Sequence, residues 1–232
     1  MIPGIILAGG RGTRLSAVSN GLPKPLIPVN GRPFIQYVLD SLVDAGVPTI
    51  YLAVSYRWQL IRSELGDRYR GVDLHYSVED EPLGTGGAIL NCYREHSLQT
   101  AFVLNGDTLF RVHLAGLLSA HTTTASQITI ALRHVSNTSR YGAVSCNSEH
   151  QVLDFKEKNI RQPGLINGGI YIVERRALER WHFPRAFSFE IEFLQQHCTA
   201  LKPLGVVENG YFIDIGVPDD LNRAQRELTN AC

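Results

Sequence analysis

Ile5-Ile6-Leu7-Ala8-Gly9-Gly10-Arg11-Gly12-Thr13-Arg14-Leu15 joins a short apolar run to a turn with three glycines in four residues. Four apolar residues stopped by glycine read as a strand buried on both faces. Glycines without Cβ let backbone N–H groups approach phosphate oxygens closely. Thr13 and Arg14 add a hydroxyl and a guanidinium fork for the same polyphosphate, and Lys24, held between Pro23 and Pro25, adds a point charge. The stretch is not the dinucleotide fingerprint, because Leu15 stands where G-x-G-x-x-G needs glycine, and no Gly-Lys-Ser/Thr follows to make a Walker loop. Alone, it reads equally well as a plain strand-to-helix turn. Its conjunction with Arg14 and Pro23-Lys24-Pro25 carries the phosphate reading.

Outward from this stretch, strand and helix alternate. A helix is expected from Pro33 to about Ala45, with Phe34, Val38 and Leu42 as its apolar face, Pro33 in its first turn and Gly46 at the left-handed position past its end. A strand over 49–54, a helix over 58–65, a strand over 72–78 and an almost wholly apolar strand over 101–104 follow. From about Gln127 the pattern turns strand-rich, over 128–132, 143–146, 152–155, 169–173, 204–207 and 211–215. Helices are expected over 114–121, 188–197 and 219–228, with Ser188 as a cap. The expectation is an α/β chain whose first half continues into a mixed sheet supplying a second ligand lobe. Ligands in such sheets sit outside the carboxyl ends of the strands.

The chain has 232 residues and a formal net charge of zero, from 22 Lys+Arg against 22 Asp+Glu. That length buries a core without disulfide or metal staples, and the balance gives no basic footprint for a nucleic acid or an anionic membrane. Cys92, Cys146, Cys198 and Cys232 are widely spaced and make neither a zinc pattern nor a redox pair. Met1 to Gly4 carry no positive stretch and the apolar run after them is too short for a signal sequence, so the protein is expected in the cytoplasm with reduced thiols. Self-association is left open.

Two further features stand at expected strand ends. Glu81-Pro82-Leu83-Gly84-Thr85-Gly86-Gly87-Ala88 is a second glycine-rich turn opening a helix, where Gly84 and the Thr85 hydroxyl could read a base edge; a Thr-capped helix start is the plain alternative. Asp107 follows the apolar fourth strand, and Asp214 lies within Tyr211-Phe212-Ile213-Asp214-Ile215-Gly216. One acid at a strand end is usually a turn residue, but two converging on one mouth suit Mg2+, which takes one or two carboxylates together with substrate phosphates. Asp107-Thr108-Leu109 is not the Asp-x-Asp of nucleotide-sugar glycosyltransferases.

Leu7-Ala8-Gly9-Gly10-x-Gly12-Thr13-Arg14-Leu15 with Pro23-Lys24-Pro25 resembles the sugar-phosphate nucleotidylyltransferase family, and the resemblance runs along essentially the whole chain. It implies a Rossmann-like nucleotide-diphospho-sugar transferase fold, with a mixed, mainly parallel central sheet flanked by helices. It also implies one nucleotidyltransferase domain over 1–232, nucleotide-binding to about 126 and sugar-phosphate-binding from about 127. The implied reaction joins a nucleoside triphosphate to a sugar 1-phosphate and releases pyrophosphate, with Mg2+. Leu7, Ala8, Gly9, Gly10, Gly12, Thr13, Arg14, Lys24, Gly84 and Thr85 would hold the nucleotide, with Arg14, Lys24 and Asp107 catalytic and Asp107 and Asp214 on the metal. Tyr141-Gly142, Glu157-Lys158 and Asn167-Gly168-Gly169 resemble the family's sugar-binding segments, so Gly142, Glu157, Lys158 and Asn167 would hold the sugar phosphate. Leu83-Gly84-Thr85 is similar to the guanylyl branch acting on heptose or mannose 1-phosphates, which favours GTP, and the resemblance of the overall sequence favours D-glycero-α-D-manno-heptose 1-phosphate. A mannose, glucose or N-acetylmuramate 1-phosphate enzyme using another triphosphate, and a non-catalytic nucleotide-sugar sensor, are the alternatives.

Overall fold

β1 (Gly4–Leu7) is the buried apolar run that opens the chain, with Ile5 and Ile6 inaccessible to solvent. The computed structural model to which it belongs describes residues 1–10, 12, 15, 21–155 and 161–228. After a single 3-10 turn at Lys24–Leu26, β2 (Pro28–Val29) and β3 (Arg32–Pro33) form a hairpin. Its turn is Asn30-Gly31, both at positive φ, the pair a two-residue hairpin favours. The first half continues through α1 (Phe34–Asp44), β4 (Thr49–Val54), α2 (Trp58–Leu65), β5 (Arg68–Tyr69), β6 (Val72–Val78), α3 (Gly84–Glu95), β7 (Thr100–Asn105), β8 (Thr108–Phe110) and α4 (Leu114–Thr123). The second half holds β9 (Ile128–Val135), β10 (Val144–Cys146), β11 (Val152–Phe155), β12 (Gly164–Glu174), α5 (Arg175–Glu179), a π-helical segment (Phe189–Gln195), α6 (Gln196–Leu201), β13 (Leu204–Glu208), β14 (Phe212–Asp214) and α7 (Pro218–Glu227).

The main sheet runs β11-β10-β12-β7-β1-β4-β6-β5, with β9 also beside β12 and β13 beside β9. Its centre, β7-β1-β4-β6, is parallel, and β12 joins β7 antiparallel, so the sheet is mixed and mainly parallel at the centre, as expected. Successive strand residues point to opposite faces, and the two faces carry separate cores. Ile6, Phe102 and Leu104 meet Phe34, Val38 and Leu42 of α1 on one side. Ile5, Val103 and Tyr171 meet Ile89 and Tyr93 of α3 on the other. Helices therefore cover both faces, which is why the central strands are continuously apolar. Among the described residues no helix is long and apolar enough to cross a membrane.

Three local expectations are corrected. Pro33 stands one residue outside α1, at φ −50° and ψ 131° and paired with Pro28, because the Phe34 N–H donates back to Ile27 O and holds the chain in the hairpin up to the start of the helix. The helix expected over 188–197 is π-helical through Gln195 before becoming α6; Phe189, Phe193 and Leu194 are all buried, and the wider turn brings all three inward. Its cap holds, since Ser188 Oγ accepts from the Ile191 N–H at 3.1 Å. The strand expected over 211–215 shrinks to β14, which pairs with β8 in a separate two-stranded ribbon beside the carboxyl end of β7.

Candidate active site

The ends of β1, β4, β6 and β7 bring Gly9, Ser55, Glu79 and Asp107 to one edge of the sheet, where a cavity of about 380 Å³ opens. Leu7, Gly9, Gly10, Lys24, Gly84, Thr85 and Asp107 line it, gathered from four separate stretches of sequence. Gly10 has open space where a Cβ would stand, and Gly9 has only ordinary to tight neighbours, Ser55 and Glu79. Gly12 stands at φ +65° with Lys24 Cβ 2.9 Å from the position its own Cβ would take, so the glycine lets the first turn close over the lysine stem. Ala8 is 1% exposed and donates its N–H to Ala53 O, a packing role outside the cavity wall.

Lys24 Nζ lies 2.6 Å from Asp107 Oδ2 and 3.8 Å from Asp214 Oδ1. The β8–β14 ribbon makes this convergence: Thr108 pairs with Asp214, so the two acids, 107 positions apart in the chain, flank one ammonium. Burial, and next the charge of Asp107, push the Asp214 carboxyl above its usual range, while Lys24 and the Gly216 N–H pull the other way. Asp214 Oδ1 is buried and accepts no hydrogen bond. Two carboxylates that repel each other, one with an unsatisfied oxygen, form an oxygen donor set suited to a hard divalent cation. Among the described residues no group of three His, Cys, Asp or Glu could hold a metal, so the remaining ligands would have to come from substrate and water.

A second cleft of about 950 Å³ adjoins the first, lined among others by Arg140, Tyr141, Gly142, Asn167, Glu190, Asp214 and Gly216. Its floor is an irregularity in β12. Asn167 pairs with Leu132 and Tyr171 with Ile130, and the intervening shift carries Gly169 to φ +73°. Asn167 is thereby fixed, its Oδ1 accepting from the Gly169 N–H and its Nδ2 donating to Tyr171 Oη at 2.8 Å. Arg140 is held by an ion pair with the buried Asp220 at the start of α7. Glu190 and Asn105 line both clefts.

The structure thus assembles two groups of the residues singled out from sequence: Leu7, Gly9, Gly10, Lys24, Gly84, Thr85 and Asp107 in one cavity, and Gly142, Asn167 and Asp214 in the other. Thr13, Arg14, Glu157 and Lys158 lie outside the described residues. Thr85 has an added engagement: its hydroxyl accepts from the Phe189 N–H and donates to Glu190 Oε2 at 2.7 Å. Glu79, Asn105, Arg140 and Glu190 were not singled out. Glu79 and Asn105 each stand at a strand's carboxyl end, the position the α/β rule marks, whereas Glu190 sits in a helix start that looks wholly structural in sequence.

A parallel-centred sheet with a glycine turn, a lysine and two acids at its carboxyl edge defines a phosphate-handling α/β enzyme scaffold. The chain belongs to the nucleotidyl transferase family, which it matches over residues 3–231. It is 40% identical over 224 residues to the D-glycero-alpha-D-manno-heptose 1-phosphate guanylyltransferase of Aneurinibacillus thermoaerophilus, covering 97% of each chain. It is also 40% identical over 216 residues to the enzyme of the same name from Campylobacter jejuni, covering 93% of this chain and 95% of that one. Among solved structures it is similar to HddC from Yersinia pseudotuberculosis complexed with GMP-PN, with TM-score 0.86, 33% identity, and 99% and 100% of the two chains covered.

Proposed function

We propose that this protein transfers a nucleotidyl group from GTP to D-glycero-α-D-manno-heptose 1-phosphate, forming the nucleotide-activated sugar and pyrophosphate. The observation that carries the reaction class is Lys24 placed between Asp107 and Asp214 where two clefts meet. The choice of GTP and heptose draws on the 40% identity to enzymes bearing that name. The first half serves the triphosphate and the second the sugar phosphate, within one domain.

In the step, a phosphate oxygen of the sugar 1-phosphate attacks the α-phosphorus. The bond from that phosphorus to the β-phosphate oxygen breaks, and its electron pair leaves with pyrophosphate. The attacking oxygen is already ionised near neutral pH, because a phosphate monoester loses its second proton near pH ~6. No side chain has to remove a proton. The residues orient and neutralise instead: Lys24 neutralises charge on the phosphates, backbone at Gly9 and Gly10 lies beside them, and Asn167 and Gly142 form the sugar-side wall. Asp107 and Asp214 would hold a divalent cation, Mg2+, which when bound supplies further positive charge to the reacting phosphates. Thr13, Arg14, Glu157 and Lys158 complete the proposed site from the sequence resemblance alone.

Pyrophosphate release over a matrix of triphosphates and sugar 1-phosphates tests this reading. Turnover is expected to be greatest with GTP and the heptose 1-phosphate. Faster turnover of glucose 1-phosphate with UTP would overturn the substrate assignment, and silence across the matrix while GTP still binds would make the protein a sensor.

A further inference from the structure

Glu190 borders both the nucleotide cavity and the sugar cleft. Among the described residues, the two cations that line these clefts pair elsewhere, Lys24 with Asp107 and Arg140 with Asp220. Three hydroxyls of the chain meet the Glu190 carboxylate instead. Thr85 Oγ1 donates to Oε2 at 2.7 Å, Ser188 Oγ donates to the same oxygen at 3.3 Å, and Tyr171 Oη is the third donor.

The π-helical segment brings Glu190 to this place. Its first N–H, that of Phe189, donates to Thr85 Oγ1 at 2.8 Å, and the Phe189 ring packs edge-on against Tyr171 with centroids 5.0 Å apart. The segment is thus seated between Thr85 of the second glycine turn and Tyr171 of β12, with Glu190 as the next residue. Because Thr85 Oγ1 accepts from Phe189, its single proton is committed to Glu190. Tyr171 is inaccessible to solvent, and a buried phenol needs partners for its oxygen. It accepts from Asn167 Nδ2 at 2.8 Å, which leaves its own proton for Glu190; burial, and next the charge of Glu190, hold that proton in place. Asn167 is fixed at its other oxygen by the Gly169 N–H. An unbroken chain of hydrogen bonds, Asn167 to Tyr171 to Glu190 and back from Thr85, therefore joins the wall of the sugar cleft to the nucleotide cavity. Its direction is set at Glu190, since an ionised carboxylate can only accept.

We propose that Glu190 is a positioning residue that keeps the two substrate walls in register, fixing Thr85 on the nucleotide side and, through Tyr171, Asn167 on the sugar side. The proposal rests on the reading that a triphosphate and a sugar phosphate occupy these two clefts, and it adds the group that holds the clefts to one another. Transfer depends on that register because the attacking oxygen must lie in line with the α-phosphorus, and a misplacement of about 1 Å can cost about 100-fold in rate.

Pyrophosphate release by the wild type, Glu190→Gln, Tyr171→Phe and the double variant tests it, using whichever triphosphate and sugar 1-phosphate the wild type turns over fastest. Equilibrium binding of that triphosphate and a melting curve accompany the kinetics. An amide turns a donor toward Thr85 or Tyr171, so Glu190→Gln should lower kcat about 10- to 100-fold while triphosphate affinity stays within a few-fold. Tyr171→Phe cuts only the sugar arm and should lower kcat by a smaller factor, again with triphosphate affinity kept. The double variant should be no slower than Glu190→Gln, because the arm it removes is already broken. Losses that multiply in the double variant, or wild-type kcat in either folded single variant, overturn the proposal and leave nucleotidyl transfer standing. A fall in triphosphate affinity as large as the fall in kcat would make Glu190 a nucleotide contact and overturns it as well. Where Glu190→Gln does not fold, Tyr171→Phe decides by the same criteria. A wild type silent with every pair of substrates overturns both readings.

Discussion

The two glycine-rich turns share a composition and do opposite work. In Gly9-Gly10-x-Gly12 the absent side chains leave space: nothing lies within 4 Å of a Gly10 Cβ, and Gly12 makes room for the Lys24 stem. In Gly84-Thr85-Gly86-Gly87 the space is filled by the protein itself. A Cβ on Gly84 would come within 2.5 Å of Phe187 O, one on Gly86 would overlap the Phe187 ring, and one on Gly87 would meet Arg185 O at 2.7 Å. The Gly86 N–H donates to Phe187 O and the Phe187 N–H to Leu83 O, so the segment at 185–187 docks on the second turn like a short added strand. Glycine in a sequence marks a close approach without saying whether the approaching group is ligand or chain. The first turn should therefore fail in chemistry and the second in folding.

The largest expected effect is chemical and belongs to the first turn. Lys24→Ala should lower kcat/KM by about 10²–10³, the scale for removing one preorganised charge-stabilising group, and Asp107→Asn should cause a loss of comparable size. Neither should unfold the protein. Removing Lys24 leaves two facing carboxylates that repel, which should lower Tm by a few degrees, so activity should be lost while a cooperative melting transition is kept. Near-normal rates in either variant would show that the reacting phosphates lie elsewhere.

Next in size is Gly86→Ala, which sharpens the contrast from the other side. Gly86 is inside α3, where alanine is favoured over glycine by about 1 kcal/mol, so helix propensity predicts stabilisation. The steric argument predicts the reverse. Phe187 is 2% exposed and stacked on Phe183 at 4.2 Å, which leaves the ring no free direction to yield. Overpacking of this kind costs about 1–3 kcal/mol, and a chain of this size loses about 2–4 °C in Tm per kcal/mol. A Tm equal to or above that of the wild type would mean that the strap at 185–187 is not seated on the turn.

Gly10→Ala is the complementary, gentler probe. Gly10 is not at positive φ and a Cβ there meets no protein atom, so stability should hold or rise by a few tenths of a kcal/mol through the stiffer unfolded chain. If the triphosphate passes over this turn, the same methyl group stands in its way. GTP affinity should then fall while the melting curve does not, and unchanged affinity would place the phosphates away from Gly10.

The same contrast explains what sequence could and could not show. The parallel centre was legible because both faces of β1 and β7 are buried, leaving unbroken apolar runs, and because Gly46 marked the end of α1. Asp107 and Asp214 stood out by residue type at the ends of apolar runs, and Lys24 by its place between two prolines after the first glycine turn. Their convergence was not legible, since it depends on β14 leaving the main sheet to pair with β8. Glu190 stayed hidden for a related reason. It borders both clefts only because a π-helical segment from the second half docks on the second glycine turn, where Thr85 Oγ1 meets its carboxylate. Long-range docking of this sort leaves no periodicity to read, and it also recasts Thr85, whose hydroxyl looked free to address a base.

The smallest effect tests whether acid sensitivity lies outside both turns. His121 on α4 is 5% exposed, with Nδ1 2.8 Å from Thr129 Oγ1, and burial, outweighing the nearby Glu174, lowers its pKa below the ordinary 6.5. The folded protein thus keeps this ring neutral at a pH where the unfolded chain protonates it. Its contribution is fully present above about pH 6.5 and is lost as pH falls from there toward the folded pKa, by at most about 1.4 kcal/mol per pH unit for one proton. Asn can place a polar atom near the Nδ1 position without titrating, so His121→Asn should flatten the fall in denaturant stability between pH 7 and pH 5. His96, also lowered by burial, should keep some slope. Identical slopes for wild type and variant would show that His121 is not a source of acid sensitivity; the buried carboxylates at the site, Glu79 and Asp214, act in the opposite sense. Their pKa values are raised instead, so each binds protons more readily in the folded chain and would favour the fold as the pH drops.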